Sequence, residues 1–192
     1  MSVFIEHTLE SAPPASRRSM AAVSDHLGFL PAATALWAES PHLLDGFARL
    51  SALFEGCTID PLAREVLIMT VAVRNGCDVC IAMHTGRLRS HGADEALITT
   101  LLAGDRALRD PRLEAMRAFT LRALETSGDV GDEALAAFGD AGYTAQNALE
   151  AMLGLGAYTM STFANRLTRA PVDGPLASSG ARAGQPPGVK PT

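Results

Sequence analysis

Residues 65–84 read Glu65-Val66-Leu67-Ile68-Met69-Thr70-Val71-Ala72-Val73-Arg74-Asn75-Gly76-Cys77-Asp78-Val79-Cys80-Ile81-Ala82-Met83-His84, and this stretch decides the fold. From Val66 to Val73 the side chains are apolar on nearly every side, which predicts a helix enclosed by other helices. Asn75-Gly76 breaks it, and so short a turn sends the next helix back antiparallel beside the first. On that second helix, at about 100° per residue, Cys77 and His84 fall within roughly 20° of one another around the axis, and Cys80 within about 60° of Cys77. Residues three apart on a helix have Cα atoms about 5 Å apart, close enough for a disulfide. A dithiol with an imidazole one turn on is a redox site in outline.

Outward from this pair the helical pattern continues in both directions. Helices are predicted over 17–27, 31–38, 42–55, 61–74, 77–91, 93–103, 110–126, 131–140 and 144–168. Ser40-Pro41, Asp60-Pro61 and Asp110-Pro111 each set a proline just inside a helix start, behind a side chain able to cap it. Gly56, Gly76, Gly92, Gly104 and Gly128 stand where helices should stop. No alternating β-branched run competes, so the fold class expected is all-α. Antiparallel helix pairs place the Cys77-x-x-Cys80 motif at the N-terminus of a central helix. Gly154, Gly156 and Ala157, inside the last helix, mark a close helix crossing.

Three regions follow. Residues 1–15, with Pro13-Pro14 and few anchors, read as a flexible arm, loose or partly docked, and residues 16–169 as one helical domain. Ala170–Thr192 holds five of the eleven prolines and four glycines. It buries too little to offset its ordering entropy and reads as a tail that is flexible or draped over the surface.

Composition narrows the function. Of 192 residues, 47% are apolar and only 5% aromatic, which favours helix over sheet. The net charge is −5 and the arginines are scattered, so nucleic acid is not an expected partner. No apolar run reaches the ~18 residues of a membrane span, and residues 1–18 lack the pattern of a signal peptide. Three cysteines, two of them paired in one motif, point to thiol chemistry in the cytoplasm rather than to a secreted disulfide framework.

Each candidate residue carries a specific chemistry. Cys77 falls at a helix N-terminus, where unpaired N–H groups and the helix dipole stabilise a thiolate. His84 is placed one turn beyond Cys80, within reach of its sulfur. Glu65 has two readings. It is an exposed first-turn acid held by the dipole, or, if its helix is central, a partly buried acid near the thiols with a pKa raised by desolvation. Zinc is a competing reading, since Cys77, Cys80, His84 and Glu65 could just supply four ligands. Three ligands on one helix face close a tetrahedron poorly, however, and no second CxxC or HxxxH pair exists. Cys57, in the Gly56–Asp60 turn, reads as an idle thiol, and His91 as a partner for a helix C-terminus. His7, His26 and His42 show no partner.

Glu65, Cys77, Cys80 and His84 at these spacings resemble the E-x11-C-x2-C-x3-H signature of the alkylhydroperoxidase D (AhpD)-like family, within the carboxymuconolactone decarboxylase superfamily. Ser40-Pro41-His42-Leu43-Leu44, Asp60-Pro61-Leu62-Ala63-Arg64-Glu65, His91-Gly92 and Asn165-Arg166 are also similar to that family, over roughly residues 28–170. The resemblance implies a homo-oligomer (dimer, trimer or hexamer) that reduces a hydroperoxide without metal, flavin or haem. A dithiol, thioredoxin-like or lipoyl reductant would regenerate it. By position, Cys80 resembles the thiol that attacks peroxide and becomes a sulfenic acid. Cys77 resembles the thiol that donates a proton and then closes the disulfide, and His84 with Glu65 resembles the proton relay. The best-studied branch carries histidine just before the second cysteine, where this chain has Val79, so the relay is reduced. The expected activity is that of a cytoplasmic thiol peroxidase or disulfide oxidoreductase. The alternatives are a redox-sensing or interaction protein switched by a Cys77–Cys80 disulfide, and a non-redox lyase-type member of the superfamily.

Overall fold

The structure, a computed structural model that describes residues 3–177, contains no strand among them. Ten helices follow in order: α1 (Pro14–Leu27), α2 (Ala32–Trp37), α3 (Pro41–Glu55), α4 (Pro61–Arg74), α5 (Asp78–Ser90), α6 (Glu95–Ala103), α7 (Pro111–Thr126), α8 (Asp132–Asp140), α9 (Ala145–Thr168) and α10 (Gly174–Ala177). The predicted starts are capped as their sequences require. Ser40 accepts from the Leu43 N–H, Asp60 from Ala63, and Asp110 from Arg112 and Leu113. The short α10 had no signal in the sequence.

Helix α4 is the centre of the bundle, with α5, α6, α7 and α9 packed around it. Val66, Leu67, Ile68, Met69, Val71 and Ala72 are all buried, which is why this segment carries almost no polar side chain. Burying large aliphatic side chains of this kind stabilises by about 1.5–3 kcal/mol each. The Asn75-Gly76 turn is closed by a hydrogen bond from the Cys77 N–H to the Ala72 carbonyl at 3.0 Å, with Gly76 at φ +61°. It brings α5 back antiparallel along α4. The long α9 starts on a capping box, Thr144 with Asn147, and crosses both α4 and α3. At the α3 crossing Gly154 meets Phe54 so closely that a Cβ would stand 2.5 Å from the ring. Gly156, expected at the same crossing, faces open space instead.

Of the alternatives for the two ends, the described residues are docked. In the N-terminal arm the His7 N–H donates to the Ala35 carbonyl at 3.2 Å, and His7 Nε2 pairs with Glu39 at 2.8 Å. Ala12 and Met20 are fully buried in a small apolar cluster with Trp37 and Leu44, against which Phe4 packs. These scattered apolar residues anchor the arm, although none has a periodic pattern. The start of the tail is docked as well. Ala170 and Val172 pack against the core, and Asp173 accepts a hydrogen bond from the Ala32 N–H at 3.1 Å, serving the start of α2 from 141 residues away. The rest of the predicted tail, residues 178–192, lies outside the described residues. No described helix is long and apolar enough to cross a membrane.

Candidate active site

The site forms where the N-terminus of α5 meets α4 and the second half of α9. Cys77 is the N-cap of α5, in an extended conformation, and Cys80 lies in the first turn. Both are free thiols, and both are buried, at 2% and 5% exposure. Facing them from α9 are Ser161 and Asn165, one turn apart and therefore on one side of that helix. Asn165 Nδ2 donates to Cys80 Sγ at 3.4 Å and to Cys77 Sγ at 3.6 Å, and Ser161 Oγ lies 3.7 Å from Cys80 Sγ.

The two sulfurs are unequal acids. The Cys80 thiol donates toward Cys77 and is the main reason that the Cys77 pKa falls to about 6. Asn165 adds to the effect, and burial and Asp78 oppose it. The same hydrogen bond, with burial, pushes Cys80 well above the ordinary thiol range. Of the two thiols, Cys77 is thus the easier to ionise. The S–H of its neighbour lowers the Cys77 pKa more than any other group does.

Glu65 is buried, at 3% exposure, and its Oε2 lies 2.7 Å from Nδ1 of His84, which is buried at 4%. The exposed-acid reading is excluded. The expected upward pKa shift is also corrected. Burial does raise the Glu65 pKa, but the charge and hydrogen bond of His84, followed by the Arg87 guanidinium, outweigh it and hold the carboxyl below its ordinary value. Arg87 Nη1 is 3.8 Å from Glu65 and 2.8 Å from Glu55 at the protein surface. The imidazole bonds to Glu65 rather than to the Cys80 sulfur that it was expected to reach. Tyr158 packs edge-on against His84, with ring centroids 5.4 Å apart.

Each sulfur borders a different cavity. Cys80 lines a cavity of about 430 Å³ together with His84 and Val79, enclosed by Val23, Leu27, Trp37, Leu44, Phe47 and Met83 from α1, α2, α3 and α5. Cys77 lines a smaller one of about 250 Å³ on the other side, with Gly76, Asp78, Arg166 and Arg169. Val79 and Asn165 border both. Among the described residues no cluster of three or more His, Cys, Asp or Glu side chains is arranged to hold a metal ion, so the zinc reading lacks a ligand set. Cys57 is half-buried against the core, away from the pair, and His91 caps the C-terminus of α5. Sequence reasoning missed Arg87, Tyr158 and Ser161. It touched Asn165 only through a family pattern, because a lone polar residue on a long helix carries no local signal.

The architecture defines an AhpD-like helical protein. Residues 41–122, from α3 to most of α7, match the carboxymuconolactone decarboxylase family. That match covers 82 of the 192 residues, and the fold of the described residues is that of AhpD-like proteins. Among solved structures it is similar to an alkylhydroperoxidase AhpD core protein, an uncharacterized peroxidase-related protein from Ralstonia eutropha. That likeness has 19% identity and a TM-score of 0.81 over 94% of this chain and 97% of that one. A second peroxidase-related protein, from Silicibacter sp., matches at 16% identity and a TM-score of 0.75 over 91% of this chain and 92% of the other. The debrominase Bmp8, in an alanine variant of one cysteine bound to 2,3,4-tribromopyrrole, matches at 13% identity and a TM-score of 0.75, over 93% and 96%. These likenesses describe the fold. No curated protein matches the chain in sequence.

Proposed function

We propose that the chain is a thiol-dependent peroxidase that reduces organic hydroperoxides through Cys80 and Cys77. One observation carries the reading: Cys80 borders a largely apolar cavity of about 430 Å³, while Cys77 stands behind it, hydrogen-bonded to it and outside that cavity. A cavity of this size suits an organic substrate and is far larger than hydrogen peroxide requires.

The Cys77 thiolate takes the Cys80 proton as the Cys80 sulfur attacks the distal peroxide oxygen. The O–O bond breaks, the alkoxide leaves with a proton from Cys77, and Cys80 becomes a sulfenic acid. Cys77 then attacks the Cys80 sulfur, the S–S bond forms, and hydroxide takes up a proton and leaves as water. The balance is one hydroperoxide and one dithiol giving one alcohol, one water and one disulfide. Glu65, ionised, accepts from His84 Nδ1–H and sets the tautomer, leaving Nε2 to exchange protons during these steps. Val79, where the best-studied branch of the family that the chain resembles carries histidine, adds an apolar side chain to the cavity and leaves His84 as the imidazole on the cavity that Cys80 borders.

Stopped-flow turnover with cumene hydroperoxide and hydrogen peroxide, in the presence of dithiothreitol, tests the proposal. Faster reaction with the organic peroxide, loss of turnover in Cys80→Ser, and a dimedone-trapped sulfenic acid on Cys80 in Cys77→Ser are expected. A wild-type dithiol inert to both peroxides would refute it, and a single oxidation without turnover would instead indicate the sensor reading. A second reading draws on the likeness to a debrominase: a ring-sized apolar cavity beside a dithiol also suits reductive removal of bromine from an aromatic ring, with R–Br and dithiol giving R–H, HBr and disulfide. Bromide release from 2,3,4-tribromopyrrole discriminates the two.

The same proposal includes the cytoplasm, whose reducing thiol pool suits a dithiol cycle. It also includes self-association. Leu149, Leu153, Gly156, Met160, Phe163 and Leu167 recur at alternating spacings of four and three along α9, the seam of a paired helix, and Leu149, Phe163 and Leu167 are 59–74% exposed. Light scattering of wild type against Phe163→Glu measures it.

A further inference from the structure

The dithiol is approached from two sides, and the second side differs chemically from the first. The cavity at Cys80 is walled mainly by apolar side chains, with His26, His84 and the paired Glu55 and Arg87 also on its lining, whereas the smaller one at Cys77 is bordered by two arginines and one carboxylate, Asp78. Arg166 donates to the Gly76 carbonyl at 2.8 Å and, like Arg169, makes no ion pair with a carboxylate among the described residues. The N-terminus of α5 opens on the same side and adds partial positive charge. Asn165, 4% exposed, borders this space and keeps its Oδ1 without a hydrogen-bond partner.

We propose that the Arg166–Arg169 pocket is the entry site for the reductant, and that it selects a small thiol carrying a carboxylate. This deepens the peroxidase reading and rests on it, since a reductant is needed only if a Cys77–Cys80 disulfide forms. The substrate thiolate attacks Cys77 Sγ, the S–S bond to Cys80 breaks, and the electron pair leaves on Cys80. There Asn165 Nδ2 and Ser161 Oγ receive the charge, and the sulfur takes a proton from solvent. A second thiolate then attacks the reductant's own sulfur in the mixed disulfide and expels Cys77. With its low pKa, Cys77 leaves readily. One protein disulfide and two thiols give one protein dithiol and one small disulfide. Organic peroxide and reductant thus never compete for one opening: the apolar cavity serves Cys80 and the cationic pocket serves Cys77.

The test uses the full chain with its disulfide made by diamide, so that it does not depend on peroxide. Reduction is followed by stopped flow with 3-mercaptopropionate, 2-mercaptoethanol and cysteamine, compared at equal thiolate concentration and low salt. 3-Mercaptopropionate should react about tenfold faster than cysteamine, the effect of roughly 1.4 kcal/mol of charge preference. Arg169→Gln should reduce this preference to within about threefold, with 2-mercaptoethanol little changed. An N-ethylmaleimide quench should place the small-thiol adduct on Cys77 and the maleimide on Cys80. Equal rates for all three thiols, or the adduct on Cys80, would overturn the inference and leave the peroxidase reading intact. Peroxide inertness together with a normal thiol preference would refute the peroxidase reading alone.

Discussion

Glu65 Oε2 lies 2.7 Å from His84 Nδ1, and both side chains are buried between α4, α5 and α9. The pair is a carboxylate orienting an imidazole, with the Arg87 guanidinium behind it.

Glu65→Gln keeps the shape and removes the charge. Turnover of the best hydroperoxide should fall about 10²-fold, the scale of a lost acid–base group. Stability should respond as well. The folded-state pKa of Glu65 is lowered, so its contribution is fully present above the ordinary glutamate pKa of about 4.3 and is lost as pH falls through the folded value. Melting curves recorded between pH 3 and pH 7 should therefore show a smaller acid loss in Glu65→Gln than in wild type. Equal acid slopes would mean that the pair does not stabilise the fold.

Cys80→Ala removes the thiol that contributes most to lowering the Cys77 pKa. The midpoint for alkylation of Cys77 by iodoacetamide should move upward from about 6 toward the ordinary thiol range. If the midpoint stays, the helix N-terminus and Asn165 suffice to hold the thiolate.

Gly154 and Gly156 sit two residues apart on one helix and should respond oppositely to alanine. In Gly154→Ala the new methyl meets the Phe54 ring at 2.5 Å, and overpacking of this kind costs about 1–3 kcal/mol. In Gly156→Ala nothing lies within 4 Å, so the gain in helix propensity, about 0.5–1 kcal/mol, should appear as a raised Tm. Urea melts of the two variants measure both.

Truncation after Arg169 removes the packing of Ala170 and Val172 and the Asp173 hydrogen bond to the start of α2. A loss of about 2 kcal/mol, or roughly 4–8 °C in Tm for a domain of this size, is expected. Asp173→Ala alone should reproduce part of it, and a truncation without effect on Tm would show these contacts to be dispensable.

Much of the helical order was legible residue by residue. Pro41, Pro61 and Pro111 behind Ser40, Asp60 and Asp110 located three helix starts, and the apolar run from Val66 to Val73 identified α4 as central. The closeness of Cys77 and Cys80 followed from their spacing. The particular docking of arm and tail was not legible, because Ala12, Val172 and Asp173 are anchored by residues distant in sequence and leave no periodic trace. Glu65 was legible as a candidate but not in its charge state. The sign of its pKa shift is a contest between burial and its interactions with His84 and Arg87, and Arg87 was not suspected.

The sequence by itself thus determined an all-helical chain with a dithiol at the start of a helix beside a buried one. Capping, turns and apolar periodicity are set within a few consecutive residues, and local free energies suffice to establish them. Only the tertiary structure decided that Glu65 is an ionised partner of His84, that Asn165 serves both sulfurs, and that Cys80 and Cys77 border different cavities. These depend on where α9 and α1–α3 settle against α5. Hydrogen bonds and charge interactions change within an ångström or two, and only the packing of the whole bundle sets those distances.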